Sequence, residues 1–330
     1  VLCDKPNCLH EGWSINNPQP TCNAAIDGNF MDGYAIYGDQ LFFTAQTDRG
    51  GVFSKEVYKA DINGTNRKQI AELTNVQFGG NVSFVDGFLL FPYINQNDPD
   101  SPDVDMEQPI VGVAAVNLST HAVTYTPTKK GYNPSIWRAH VYEGKIYYTY
   151  TYLDIKTNED ETVDVQQHFF VEVYCYDPAT ETETKLIGGN GLTFLGYDGS
   201  YAYLVEQTEK RDRIIQMNLV NGEKTVLFEE DNMRASFFVD GDNLIYSIDV
   251  ENGLQWKLFD TKTQISQAIG DAIQFDASDS FIIDAVIEDK VYISYTDSAN
   301  GEFCNGYLSK QDFYDGQFDK RVPLLYPNEE

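Results

Sequence analysis

The signatures of several common enzyme classes are missing from this 330-residue sequence. It contains no Walker loop, no glycine fingerprint for dinucleotides, no His-Glu-x-x-His zinc motif and no Gly-x-Ser-x-Gly elbow. Histidine is rare, with four in the chain, and cysteine is nearly as rare, with five. These absences exclude the enzyme classes that such motifs mark. Nothing in the surroundings of the 51 acidic residues singles out a catalytic carboxylate pair.

Positive charge and long apolar runs are also scarce. Lys and Arg number 23 against 51 Asp and Glu, which gives a net charge of −28 at pH 7. Nucleic acid and anionic membrane surfaces repel such a chain, so neither is expected as a partner. No apolar run approaches the roughly 18 residues of a membrane-spanning helix, and no transmembrane segment is predicted. The excess of acidic residues indicates a well-solvated acidic surface.

Apolar and aromatic residues are plentiful by contrast, and they fall into short strand-like segments. Hydrophobic residues make up 42% of the chain, with 22 Tyr and 20 Phe, which is enough for a large core. Residues 34–37, 41–44 and 57–61 are strand-like, and the Asn63-Gly64 pair then predicts a type I′ hairpin turn before residues 67–73. Residues 34–73 are therefore predicted to form a four-stranded antiparallel meander.

This unit recurs along the chain. The turn before its second strand returns at six positions, namely Gly38, Gly87, Gly144, Gly199, Gly241 and Asp289. A period of roughly 50 residues with four strands per repeat is typical of a β-propeller. We therefore predict an all-β, six-bladed propeller of four-stranded antiparallel blades over residues 32–330, with a degenerate sixth copy near residues 307–310. A seventh blade is the alternative, if residues 1–31 contribute strands.

The repeated residues also carry a family resemblance. The pattern is a glycine turn, then Leu-Phe-Phe-Thr or Ile-Tyr-Tyr-Thr, a loop and Val-Tyr-Lys-Ala-Asp-Ile-Asn-Gly. It resembles the YWTD/TolB-like β-propellers. The similarity covers residues 32–325, and it extends to low-density-lipoprotein-receptor-like propeller domains of bacterial secreted proteins and lipoproteins. The resemblance implies the propeller fold and export from the cell. It implies no ligand or reaction, because propellers host enzymes, receptors and scaffolds alike.

Residues 1–31 form a Cys-rich extension outside the repeats. Cys3, Cys8, His10 and Cys22 supply four soft ligands with the spacing of a possible structural zinc site. One disulfide with a spare thiol is the alternative, in keeping with an exported protein. Cys175 and Cys304 occupy third-strand regions of the third and sixth repeats, and we expect both to be buried free thiols.

Two long insertions separate the second and third strands of the second and third repeats. They comprise residues 95–107 and 153–168. The first holds five carboxylates, so calcium is a further, less favoured, metal prediction. In a propeller these loops open on the same face as the connections between blades. Long loops on a rigid scaffold often carry function, so this face is the predicted binding face.

The predicted ligand site lies on that face. Residues 132–140, interpreted as the connection into the third repeat, contain Tyr132, Trp137, Arg138 and His140. Aromatic faces stack on sugar rings or side chains, and Arg forms bidentate hydrogen bonds with carboxylates. Tyr93 and His168, which flank the insertions, complete the set. The alternative is that Tyr132 and Trp137 pack between blades.

The sequence favours a non-enzymatic binding or interaction propeller for a carbohydrate, peptide or protein. Two alternatives stay open, namely a carbohydrate-active enzyme (a glycoside hydrolase or lyase) and a structural scaffold of an envelope assembly. The apolar first strands, such as residues 82–85 and 235–239, offer few acids for such an enzyme. We expect an exported, monomeric protein, extracellular or at the cell surface, whose targeting segment is not part of this sequence.

Overall fold

The computed structural model is nearly all β and forms a six-bladed propeller of four-stranded antiparallel blades, as predicted. It describes residues 34–48, 53–74, 77–78, 82–95, 110–153, 156–157, 163–164, 169–208, 211–251, 253–274, 281–296 and 301–324. In that part of the chain, no helix has the length and apolar character of a membrane span.

The chain divides into two compact units, Val1–Asn190 and Gly191–Glu330, and each contains three blades. Blade 1 consists of β1 (Tyr34–Tyr37), β2 (Gln40–Asp48), β3 (Phe53–Asp61) and β4 (Lys68–Thr74). In blade 2 the first strand and the fourth strand are each interrupted. The blade consists of β5 (Gln77–Phe78), β6 (Ser83–Val85), β7 (Phe88–Asn95), β8 (Ile110–Asn117), β9 (Val123–Tyr125) and β10 (Lys129–Lys130).

Blade 3 completes the first unit and carries a small hairpin between its second and third strands. It comprises β11 (Tyr132–Tyr142), β12 (Lys145–Leu153), the hairpin β13 (Lys156–Thr157) and β14 (Val163–Asp164), then β15 (Phe169–Asp177) and β16 (Thr182–Asn190). The insertions thus lie between second and third strands, as predicted.

The second unit contains blades 4, 5 and 6. Blade 4 comprises β17 (Leu192–Asp198), β18 (Tyr201–Gln207), β19 (Asp212–Asn218) and β20 (Lys224–Glu230). Blade 5 comprises β21 (Met233–Asp240), β22 (Asn243–Val250), β23 (Gly253–Asp260), β24 (Ile265–Ala268) and β25 (Ile273–Gln274). Blade 6 comprises β26 (Phe281–Ile287), β27 (Lys290–Thr296), β28 (Phe303–Ser309), helix α1 (Lys310–Tyr314), a 3-10 turn (Phe318–Lys320) and β29 (Val322–Pro323).

In the middle blade of each unit, blade 2 or blade 5, the second strand is apolar on both faces because a neighbouring blade covers each face. In blade 2, Leu89 packs in a core shared with blade 1, whereas the next residue, Leu90, packs in the core shared with blade 3. In blade 5, Leu244 and Ile245 likewise enter the cores shared with blades 4 and 6. Each such buried side chain contributes about 1.5–3 kcal/mol, which explains why these strands lack polar alternation.

Every third strand ends in a residue with a short oxygen-bearing side chain. The six residues are Asp61, Asn117, Asp177, Asn218, Asp260 and Ser309. The Asp260 carboxylate, for example, accepts hydrogen bonds from the backbone N–H groups of Lys262 (2.8 Å) and Thr263 (2.9 Å). This capping satisfies the donors of a tight turn and sends the chain back as the fourth strand.

The turn after Asp61 differs from the prediction. Gly64 has a positive φ of 81°, but Asn63 does not, so the pair does not form a type I′ turn. A longer loop forms because Thr65 Oγ1 (3.1 Å) and Asn66 Nδ2 (2.7 Å) both donate to the Asp61 carboxylate. Two consecutive positive φ angles occur instead at Asp86-Gly87 and Glu143-Gly144.

The sixth repeat looks degenerate because a helix replaces its hairpin. The Ser309 hydroxyl accepts the Asp312 N–H at 3.0 Å and begins α1. Phe313 is buried in the core between blades 5 and 6. Lys310 Nζ (2.7 Å) and Tyr314 Oη (2.6 Å) bind Asp240 of β21. Burial alone would raise the pKa of Asp240, but these two hydrogen bonds outweigh it and hold the pKa below its usual value.

The docking of this helix predicts a strict requirement for glycine at position 316. Gly316 has a φ of +70°, and a Cβ there would lie 2.2 Å from the Gly270 Cα. We expect Gly316→Ala to lower the free energy of unfolding by about 2–4 kcal/mol in urea titrations. Gly301 is the matched control because its φ is +72° with no atom within 4 Å, so Gly301→Ala should cost about 1–2 kcal/mol. Equal losses would contradict the close approach of the two backbones.

The strand caps predict part of the acid sensitivity. Backbone N–H groups hold the pKa values of Asp177 and Asp260 below the usual value. Groups with a depressed folded-state pKa stabilise the protein above the unfolded-state pKa, about 4, and lose that stabilisation as the pH falls through the folded-state pKa. The Asp177→Asn/Asp260→Asn variant should therefore lose less stability than the wild type between pH 5 and pH 3, measured by thermal unfolding. A wild-type-like decline in the variant would show that these caps do not contribute.

Candidate surface on the first strand of blade 3

Residues 132–140 belong to strand β11 rather than to a connection between blades. The strand is the edge of its sheet, whose order is β11-β12-β15-β16, and in the described chain it pairs with β12 alone. Pro134 is tolerated here because an edge strand does not require every N–H group. The expectation of a loop was wrong, since β-formers such as Ile136 and Val141 outweigh the turn character of Asn133-Pro134.

A β-bulge in this strand exposes two consecutive side chains. Ile136 pairs with Tyr150 and Ala139 with Tyr148, so Trp137 and Arg138 together oppose Thr149. Ile136 and Ala139 are buried, whereas Trp137 is 55% exposed and Arg138 is exposed as well. In a regular strand these neighbours would point to opposite faces. The bulge directs both away from the core.

Arg138 has no acidic partner in the described part of the chain. It forms no hydrogen bond, ion pair or ring contact there, although acidic residues outnumber basic ones by more than two to one. Other described arginines are engaged, as in the pairs Arg211–Asp231 and Arg213–Glu229, both at 2.9 Å. Trp137 likewise has no aromatic contact among the described residues. Both side chains are therefore exposed without a polar or ring partner in the described part of the chain.

The structure separates these two residues from the rest of the predicted set. Tyr132 is half-buried, and His140 is buried opposite Tyr147. Tyr93 is buried, and its ring centre lies 6.1 Å from that of Tyr125 in an edge-to-face arrangement. Burial, followed by the proximity of Tyr125, raises the pKa of Tyr93 to about 12. His168 lies outside the described residues. Trp137 and Arg138 are thus the two members of the set that are exposed in the described chain.

An exposed phenylalanine at one end of blade 3 was not foreseen. Phe169 is 53% exposed and pairs in register with Leu153, which in turn pairs with Tyr132. The three side chains form an apolar row where the strands meet the insertion at residues 154–168. The signal in the sequence was the Phe169-Phe170 pair at the beginning of the third strand, directly after a polar segment.

The carboxylates between blades 2 and 3 are held by lysines. Glu183 bonds to Lys129 and to Tyr148, and the Lys129 ammonium lies 3.7 Å from the centre of the Tyr174 ring. Glu172 accepts hydrogen bonds from Lys185 (3.0 Å) and Tyr174 (2.6 Å). Burial first, and then the Glu172 carboxylate, raises the pKa of Tyr174.

Blades 4 and 5 contain a similar ion pair, but here the fourth strand of the earlier blade carries the glutamate rather than the lysine. Glu230 on β20 bonds to Lys257 and, at 3.1 Å, to Tyr246, and the Tyr246 hydroxyl lies 2.6 Å from Ser266 Oγ. An ion pair thus links neighbouring blades in two places and contributes to the packing between them.

No metal site forms among the described residues. In that part of the chain no three His, Cys, Asp or Glu residues converge as ligands. Cys3, Cys8, His10 and Cys22 lie outside it, as do the carboxylates of the acidic insertion, so zinc, a disulfide and calcium stay predictions. Cys175 and Cys304 are free thiols on β15 and β28 and are half-buried rather than fully buried.

Comparison with known proteins supports the fold and leaves the activity open. No family model and no curated protein matches the sequence. A solved prolyl endopeptidase matches with a TM-score of 0.56 and 15% identity, over 92% of this chain and 42% of that one. The acylaminoacyl peptidase of Pyrococcus horikoshii matches with a TM-score of 0.54 and 11% identity, over 87% and 45%. TolB from Acinetobacter baumannii, at a TM-score of 0.41 and 12% identity, covers 86% and 68%.

The similarities to the two peptidases show the fold alone, because their identities of 11% and 15% are far below the level at which function is shared. The chain spans less than half the length of the peptidases it matches. The resemblance to YWTD/TolB-like proteins therefore holds as membership of the β-propeller fold. The similarity to lipoprotein-receptor-like domains stays a prediction.

Exposure of Trp137 predicts that its side chain contributes little to stability. Trp137→Ala should change the free energy of unfolding by less than about 0.5 kcal/mol, because surface substitutions rarely cost more. Trp256, which is 1% exposed in the core between blades 5 and 6, is the matched comparison. Its Ala variant should lose about 3–5 kcal/mol by cavity formation. A loss of several kcal/mol for Trp137→Ala in urea titrations would mean that Trp137 packs between blades.

Proposed function

We propose that this chain is an exported, non-enzymatic binding propeller that captures a protein or carbohydrate ligand at Trp137 and Arg138. The observation that carries the proposal is the bulge in β11, which exposes a Trp and an Arg without an acidic partner in the described chain. Trp and Arg are the residue types most enriched at binding hot spots. Bulges are over-represented beside functional sites, where they re-aim side chains.

The exposure of both side chains supports this proposal. An exposed Trp leaves a large apolar surface in water, and burial of that surface is a main driving force for association. Arg138 keeps five donors in a planar fork that suits a carboxylate or several sugar hydroxyls. Tyr132 and the exposed Phe169 of the same blade offer further aromatic surface.

Binding is favoured over catalysis because the largely buried carboxylates of blades 3 and 4 are paired with lysines. Glu172, Glu183 and Glu230 are each paired with a lysine. A glycosidase needs one protonated and one free carboxyl group flanking the substrate. Peptidase activity of the whole proteins with a similar fold is not transferred to this chain, which spans less than half of them.

A direct test screens the purified protein against a glycan array and an array of random octapeptides. Wild type is compared with Trp137→Ala and with Phe303→Ala, which removes a similarly exposed aromatic (64%) from blade 6. We expect ligands that bind wild type and Phe303→Ala equally but bind Trp137→Ala at least about tenfold more weakly, a loss of 1.4 kcal/mol.

Two results would count against the proposed function. Ligands retained in full by Trp137→Ala would place recognition elsewhere on the molecule. Cleavage of an array glycan by the wild-type protein, detected by mass spectrometry, would favour the carbohydrate-active enzyme.

A further inference from the structure

We infer that the Trp137–Arg138 surface recognises an acidic peptide segment of a partner protein, with a carboxylate side chain next to an apolar one. The inference deepens the proposed function and rests on it. Three observations on the described residues carry it, namely a guanidinium without a partner among them, the exposed indole beside it and an edge of β11 that pairs with none of the described strands.

The guanidinium of Arg138 favours a ligand that carries an anionic group. Arg138 is exposed and has no partner among the described residues, although 51 acidic residues are present in the chain. Arg213, which is also exposed, shows the usual outcome, since Glu229 (2.9 Å) and Glu206 (3.6 Å) both pair with it. A carboxylate fits the planar fork of guanidinium with two parallel hydrogen bonds. A ligand can therefore supply the carboxylate that the described chain does not.

The neighbouring indole selects an apolar group next to that anion. The bulge places Trp137 and Arg138 on consecutive positions that both leave the core. A ligand that binds both side chains presents its carboxylate within one residue of an aromatic or aliphatic group. Covering the indole removes apolar area from water and strengthens the adjacent ion pair by lowering its exposure.

The edge of β11 favours a peptide over a polysaccharide. β11 is hydrogen-bonded to β12 on one side and, in the described chain, to no strand on the other. An extended peptide can pair with such an edge through its main chain while alternate side chains reach the surface. A sugar polymer has no matching ladder of N–H and C=O groups.

The net charge of the chain limits how acidic the ligand can be. At −28, the protein repels a polyanion that carries a charge on every unit. Exposed charges that are separated by more than the Debye length, about 8 Å at physiological salt, are largely screened from each other. One or two ligand carboxylates near Arg138 therefore escape most of this repulsion. A short segment with few acids therefore fits better than a polyuronate chain or nucleic acid.

The test uses two matched arrays of octapeptides. In one array an aromatic residue is flanked by Asp or Glu, and in the other the same positions hold Asn or Gln. We expect wild type to bind acidic peptides at least about tenfold more tightly than their amide counterparts. Arg138→Gln should abolish this preference, and Arg138→Lys should restore part of it. Arg213→Gln, which changes the net charge equally, should leave it intact.

Failure of the inference is distinguishable from failure of the proposed function. Equal binding to both arrays, still lost in Trp137→Ala, would overturn the acidic ligand but retain the binding surface. Trp137-dependent capture of glucuronate-bearing glycans with no capture of acidic peptides would overturn the inference that the ligand is a peptide. No binding to either array would also overturn it. Binding unaffected by both Trp137→Ala and Arg138→Gln would overturn the surface itself.

Discussion

The burial of both faces of one sheet, as in blades 2 and 5, is the constraint on which the rest of this fold depends. Leu89 and Leu90, or Leu244 and Ile245, are consecutive residues that enter different cores on opposite sides of one strand. Little of a blade's interior is then available for ligand chemistry. Function is left to strand edges, strand ends and irregular positions, and the bulge in β11 is such a position, because it releases Trp137 and Arg138 from the alternation that buries their neighbours.

Polar groups between blades serve the same packing. Tyr148 and Tyr246 occupy the second strands of blades 3 and 5, and each bonds to a glutamate that a lysine neutralises. Buried carboxylates are tolerated only with such partners, so this pairing explains how an acidic chain keeps charge inside its sheets. Arg138 departs from the pattern, since it lies exposed without a partner in the described residues while acids are abundant.

Much of the fold could be predicted from the sequence because its signals are local. The aromatic strands, the glycine turns and the Asp or Asn at the end of most third strands recur with one period, and they gave six blades and the position of both insertions. The Asn63-Gly64 turn could not be predicted, because the Asp61 carboxylate draws Thr65 and Asn66 into a longer loop. The residues predicted to bind a ligand differ in their exposure. Trp137 and Arg138 are exposed and His140 is buried because the bulge in β11 shifts the register, which no composition signal reveals. Tyr93 is buried on β7, which pairs with β8 without a register shift.

The most direct test of the central claim is acrylamide quenching of Trp137 fluorescence in the Trp13→Phe/Trp256→Phe protein. If the bulge exposes the indole, quenching should approach that of a free tryptophan peptide and should decrease when a bound ligand covers the ring. The Trp13→Phe/Trp137→Phe protein, which retains the buried Trp256, provides the lower limit. Quenching of Trp137 as weak as that of Trp256 would contradict the exposed surface.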